Sequence, residues 1–195
     1  MPNPIFVQPR LTLNDFQNAA ELLSTGVAEV KAVTEVESGG RGFDLTNRVI
    51  IRFEPHVFHR YTKGAYDISH PLLSYPVWQP GYPKNLDHSW RLFTEASALD
   101  YNAAVMATSF GLFQIMGFNF SACGCKTVSE FVAAMKQSEG EQLRLFVEFV
   151  KSRDLDDELK SHNWASFARQ YNGAGYKANQ YDTKLADAFK RFSVK

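Results

Sequence analysis

The chain has 195 residues, 45% of them hydrophobic and 14% aromatic, with 21 basic and 21 acidic side chains and a formal net charge of zero. That composition excludes a disordered chain, and with no basic block nucleic acid is not an expected partner. A chain this long buries roughly 70% of its unfolded surface, so it needs neither a disulfide nor a structural metal to fold.

Residues 1–12 contain three prolines and read as an extended arm. They carry no basic n-region and no long apolar run, so no signal peptide is expected. No apolar stretch approaches the roughly 20 residues that span a bilayer, so membrane insertion is not expected. Thr12 or Asn14 can cap a helix with Leu13, Phe16, Ala20 and Leu23 at helical spacing, ending near Gly26. A second helix is expected over 27–38, stopped by Gly39 and Gly40. Residues 48–54 are rich in β-branched side chains and predict a strand. Pro55 then suits the first position of a short helix through His59 and Tyr61. Residues 71–83 hold four prolines and predict a loop carrying Tyr75, Trp78 and Tyr82.

The remainder predicts helices. Trp90, Phe93 and Leu99 mark one, and residues 103–109 a second. Thr127 with Glu130, and Ser138 with Glu141, have capping-box spacing. Leu143, Phe146, Val147 and Val150 share a face. Asn163 caps a helix with Trp164, Phe167 and Tyr171, and Tyr181, Leu185, Phe189 and Phe192 stripe the last. The expected architecture is mostly helical, with a small β-lobe near residues 40–54.

Several residues bear chemistry. Glu37 follows Val30 and Val33 on one helix face. If that stripe is buried, desolvation raises the carboxyl pKa, and the negative end of the helix dipole pushes the same way. A carboxyl still protonated near neutral pH is what a general acid needs; the plainer alternative is a solvated Glu at a helix end. Glu54, before Pro55, is expected to end a strand. It can serve as the second carboxylate of a glycosidase pair or as a salt-bridge partner of Arg52 or Arg60, and Asp44 competes for the first of these roles. His56 and His59 lie three apart, but no third ligand is evident, so no metal is expected. Cys123 and Cys125, one residue apart, are an awkward pair for a disulfide and read as reduced thiols.

Three segments in order carry a resemblance. Glu37-Ser-Gly-Gly40 resembles the Glu-Ser start of the catalytic motif of goose-type lysozymes and lytic transglycosylases. Ser109-Phe-Gly-Leu-Phe-Gln-Ile-Met116 is similar to their Ser-x-Gly-Leu-x-Gln-Ile-Met segment, and Tyr171-Asn-Gly-Ala-Gly175 to their Ala-Tyr-Asn-x-Gly segment. Phe110 stands where Trp is common and Gln170 where Ala is usual. The stretch from about 25 to 192, including Arg52-Phe-Glu-Pro-His-Val-Phe58, resembles the N-acetylmuramidase catalytic domain of modular phage endolysins.

The resemblance implies a lysozyme-like α+β fold, with a cleft between a helical lobe and the small β-lobe. Residues 1–195 would form one catalytic domain with no separate wall-binding domain. It implies a peptidoglycan hydrolase cutting the β-1,4 bond between N-acetylmuramic acid and N-acetylglucosamine, with Glu37 as acid and Gln114, Tyr171 and Asn172 lining the sugar cleft. Ser109 and Trp78 complete the expected substrate contacts, and Glu54 is the expected second catalytic group, with inversion at the anomeric carbon. Such an enzyme would work as a monomer without a cofactor, made in a host cytoplasm and acting on the wall after release. A lytic transglycosylase and a noncatalytic wall-binding module are the alternatives.

Overall fold

The computed structural model describes residues 10–38 and 41–194. The proposed arm therefore falls mostly outside the described residues, as does the Gly39–Gly40 helix stop. Its described end is tied down: Arg10 Nη1 donates to Glu139 Oε1 at 2.7 Å and the Leu11 backbone N–H to Oε2 at 3.2 Å.

Helix α1 (Leu13–Leu22) starts at Thr12, not Asn14. The Thr12 hydroxyl accepts from the Asp15 N–H, and the Asp15 carboxylate accepts from the Thr12 N–H, closing a capping box. Helix α2 (Val27–Ser38) buries Val30 and Val33. Helix α3 (Pro55–Thr62) begins on Pro55, whose missing N–H costs nothing in a first turn, and ends on left-handed Lys63. Then come α4 (Leu86–Leu99), α5 (Tyr101–Met106), α6 (Val128–Gln137), α7 (Glu139–Ser152), α8 (Asp156–Lys160), α9 (Trp164–Asn172) and α10 (Tyr181–Ser193). The boxes at Thr127 and Ser138 close on one side only. Each hydroxyl accepts from the N–H three residues on, but Glu130 turns to the Lys126 N–H and Glu141 to Arg144.

The sheet corrects two sequence expectations. Strand β1 (Ile51–Phe53) is shorter than 48–54, because Asp44 N–H to Arg48 C=O and a Phe43–Val49 bridge close a turn around left-handed Asn47. The helix expected over 103–109 stops at Met106, and Thr108–Phe110 is strand β2. Strand β3 is Ile115–Met116. The order is β1-β2-β3, antiparallel, with Arg52 opposite Ser109 and Ser109 opposite Met116. The small sheet is thus built from 51–53 together with 108–116, and not from residues 40–54 alone.

One continuous hydrophobic core links the sheet to the helices, with Phe43, Phe53, Phe58, Phe110, Phe113, Phe131, Phe146 and Phe167 fully buried. Helix α10 packs against α2 and α9, which fixes α2 from behind. Cys123 and Cys125 are both free thiols. Among the described residues no helix is long and apolar enough to cross a membrane.

Candidate active site

Glu37 occupies the last turn of α2, half-buried, beyond the buried Val30 and Val33. Asn172, the last residue of α9, donates its Nδ2 to both carboxylate oxygens, at 3.2 and 2.9 Å. Burial pushes the Glu37 pKa from 4.5 up to about 7, with the Asn172 hydrogen bond pulling the other way. A carboxyl so shifted still carries a proton close to neutral pH. Asn172 Oδ1 is buried and has no partner among the described residues, which leaves an acceptor beside the carboxyl.

Removing the amide isolates its contribution. Asn172→Ala deletes a donor that favours the charged carboxylate, so the Glu37 pKa rises further. The expected outcome is an alkaline limb of the kcat/KM profile displaced to higher pH, alongside a lower maximum. An unmoved limb would detach Asn172 from the ionisation of Glu37.

Tyr171 ties this corner to the sheet. Its hydroxyl donates to the Phe113 carbonyl at 3.0 Å. Its ring stacks on Phe167 at 5.5 Å and meets Phe146 and Phe149 edge-on. Burial first, and then the Glu37 charge, hold the phenol pKa well above 10, so it stays a donor. The residue expected to touch sugar therefore spends its hydroxyl on the protein. Ser109 and Gln114 do likewise. The Ser109 hydroxyl donates to Gln114 Oε1 at 2.9 Å, and Gln114 Nε2 donates to the Gly111 and Ile50 carbonyls at 2.9 and 3.2 Å. Gln114 is left-handed (φ 47), so its side chain folds back across the turn between β2 and β3. Gly111 (φ 70) in the same turn has no room for a Cβ, which would lie 2.7 Å from Gln142. Gln142 Oε1 accepts from the Leu112 N–H at 2.7 Å and braces the turn from α7.

Glu54 follows β1, and its N–H donates to the Ala107 carbonyl at 2.8 Å. It stands at the N-cap of α3 without capping through its side chain. Oε1 accepts from Arg52 Nε at 2.8 Å. Strand alternation puts residues 52 and 54 on one face, which is why they meet. The Tyr75 phenol is pushed up to about 12 by burial, with smaller contributions from Tyr82 and Glu54, so the Pro-rich loop borders Glu54. Arg52 Nη2 also reaches the Tyr82 carbonyl, at 3.4 Å.

Asp44 is fully engaged elsewhere. Its oxygens accept from the Thr46 N–H and hydroxyl, the Arg48 N–H and the Arg48 guanidinium. Burial raises its pKa, but these hydrogen bonds outweigh that and lower it. With its lone pairs spent on closing a turn, Asp44 is a poor second carboxylate. His56 and His59 diverge: His59 Nδ1 meets Asp67 at 2.8 Å, whereas His56 faces Glu54. Among the described residues no cluster of three or more His, Cys, Asp and Glu side chains could hold a metal.

In the 71–83 loop, Tyr75 and Tyr82 pack edge-on at 6.2 Å, and the Tyr82 hydroxyl donates to the Leu72 carbonyl. Trp78 is 54% exposed. A Trp this exposed contributes little to the core, so Trp78→Ala is expected to leave Tm almost unchanged. KM should rise about two- to twelvefold, the ~0.5–1.5 kcal/mol of one aromatic contact. A collapsed Tm with unaltered KM would assign Trp78 to the core instead.

Tyr181 was legible only as a packing residue. The structure sets it at the start of α10, where burial and the Glu37 charge raise its pKa. No motif marked it; only the packing of α10 on α2 brings it there. A cavity of about 450 Å³ on another face of α2, lined by Arg10, Lys31, Glu35 and Glu139 among others, offers no comparable chemistry. Both its carboxylates are paired, Glu139 with Arg10 and Glu35 with Arg191.

The sequence profile of the N-acetylmuramidase family matches residues 26–193. The crystal structure of the Burkholderia AP3 phage endolysin is similar to this chain at 41% identity and a TM-score of 0.87, covering 94% of this chain and 71% of that one. None of the curated proteins matches.

Proposed function

The chain belongs to the N-acetylmuramidase family, and from that premise we propose that it cleaves the β-1,4 bond between N-acetylmuramic acid and N-acetylglucosamine, with Glu37 as general acid. It is a glycoside hydrolase of peptidoglycan with a lysozyme-like fold, mostly helical around a small antiparallel sheet. The finer reading rests on one observation: a carboxyl held near neutrality by burial, gripped through both oxygens by Asn172.

The protonated Glu37 gives its proton to the glycosidic oxygen as that bond breaks, and positive charge grows on the anomeric carbon. Glu54, held by Arg52, is the carboxylate that orients water toward that carbon or balances its charge. Once Glu37 is ionised, the Asn172 amide donates to the carboxylate that remains. The unpaired Asn172 Oδ1 accepts from a sugar hydroxyl or the N-acetyl N–H. Ser109, Gln114 and Tyr171 serve by holding the β2–β3 turn and the end of α9 in register, and Trp78 offers a face to a sugar ring. The likeness to a phage endolysin supports a protein made in a host cytoplasm that acts on the wall after release.

Digestion of purified peptidoglycan in oxygen-18 water, with mass spectrometry of the fragments, tests the reaction. Hydrolysis places the label on a reducing-end N-acetylmuramic acid. Unlabelled anhydro ends, one water lighter, would make the enzyme a lytic transglycosylase. Reducing-end N-acetylglucosamine would move the cut to the other glycosidic bond.

A further inference from the structure

We propose that His56 is a positioning residue for Glu54, presenting its Nδ1–H to Oε2 and so fixing the carboxylate against Arg52. The proposal rests on the reading of Glu54 as the second catalytic carboxylate. His56 Nδ1 lies 3.6 Å from Glu54 Oε2. That is beyond hydrogen-bond length but closer than any arrangement with a water between them. Both atoms are shielded from solvent, and neither has a hydrogen-bond partner among the described residues. A buried acceptor and a buried ring nitrogen left unpaired are each costly, and they face one another. A shift of well under an ångström satisfies both.

The sequence builds this arrangement locally. Residues 52 and 54 share a face of the strand, and Pro55 turns the chain into α3 so that His56 swings back toward Glu54. Oε1 is already held by Arg52 Nε at 2.8 Å. A donor on Oε2 removes the remaining freedom of the carboxylate, which could otherwise rotate about its last bond. Catalysis is sensitive to orientation on that scale.

The charged surroundings favour a neutral imidazole in this role. Burial lowers the His56 pKa and Arg60 lowers it further, against the opposing pull of Glu54. Tyr75 borders Glu54 on the loop side. Helix α5, which packs on α3, has Tyr101 as its one titratable residue, and the charges that act on His56 are those of Glu54 and Arg60. In a neutral ring with the proton on Nδ1, that nitrogen can only donate, as the carboxylate requires.

The test uses two near-isosteric replacements that differ in the donor. The Nδ2 of His56→Asn takes the place of imidazole Nδ1, whereas His56→Leu has the same shape and no donor. On a soluble glycan fragment, His56→Asn should retain kcat within about threefold of wild type. His56→Leu should lose about tenfold or more in kcat, a barrier increase of ~1.4 kcal/mol, with KM unchanged in both. In a Glu54→Gln background the difference between Asn and Leu should vanish. Equal kcat for the two variants, at any level, overturns the proposal, since size would then matter and the donor would not. A difference that persists in the Glu54→Gln background overturns it as well. If Glu54→Gln alone is fully active, the reading of Glu54 fails and the positioning role falls with it. If Glu54→Gln is inactive while Asn and Leu behave alike, only the role of His56 fails.

Discussion

Glu37→Gln is expected to lower peptidoglycan turnover by about 10²–10⁴-fold, the range of one general acid. The replacement keeps the shape of the side chain, and its carbonyl oxygen can still accept from Asn172 Nδ2. What it lacks is the transferable proton. The same substitution should stabilise the protein at alkaline pH. Burial raises the folded-state pKa of Glu37 from 4.5 to about 7, so between those values the folded protein keeps a proton that the unfolded chain releases. Wild-type stability is therefore intact below pH 4.5 and declines as pH rises toward 7. The loss amounts to roughly 3 kcal/mol at most, from 1.36 kcal/mol per pKa unit. The amide of the variant does not titrate and escapes that loss. Melting curves at pH 5 and pH 8 should show the variant's advantage growing with pH. An advantage independent of pH would mean that the buried carboxyl is not strained by its surroundings.

Glu54→Gln should lower kcat by about 10²-fold or more, the lower end of the range for a general base, while KM changes little. The amide keeps the contact to Arg52 through its carbonyl but cannot take a proton from water or balance a growing positive charge. Stability should hardly move. Arg52 is 43% exposed and remains solvated when its partner is neutral, and ion pairs of that kind contribute about 1 kcal/mol or less. Steady-state kinetics on a soluble fragment, read beside the melting curve, separates the two effects. Full activity would leave Glu37 as the sole catalytic carboxyl, because Asp44 is committed to Arg48 and Thr46.

The helices were legible wherever one face carries the apolar residues: α2, α7, α9 and α10 follow the stripes in the sequence closely. Glu37 was not legible from its stripe alone: Val30 and Val33 share its face, but a solvated Glu at a helix end reads the same, and the Glu-Ser resemblance singled it out. Nor was strand β2 legible. Thr108–Phe110 follows an alanine-rich helical run with no Gly or Pro between them, and three residues are too few to reveal a period. Its partners come from far along the chain, with Ile51 opposite Phe110, so only the folded sheet defines it. The hydrogen bonds of Ser109 and Gln114 were hidden by the same geometry. A Gln looks like a sugar ligand until its left-handed backbone turns the amide onto Ser109, Gly111 and Ile50. Asp44 looked available because the turn that consumes its oxygens depends on Asn47 in the left-handed region. His56 and His59, three apart with no third ligand in the sequence, are each turned by the fold to a different carboxylate.

Glu37 is proposed to hold its proton near neutral pH, and a direct titration tests it. Carbon-13 NMR of side-chain carboxyls, with the Glu37 resonance assigned by its absence in Glu37→Gln, should give a midpoint near 7. A midpoint near 4.5 would rule Glu37 out as the acid, because it would then be ionised where the enzyme is proposed to use its proton.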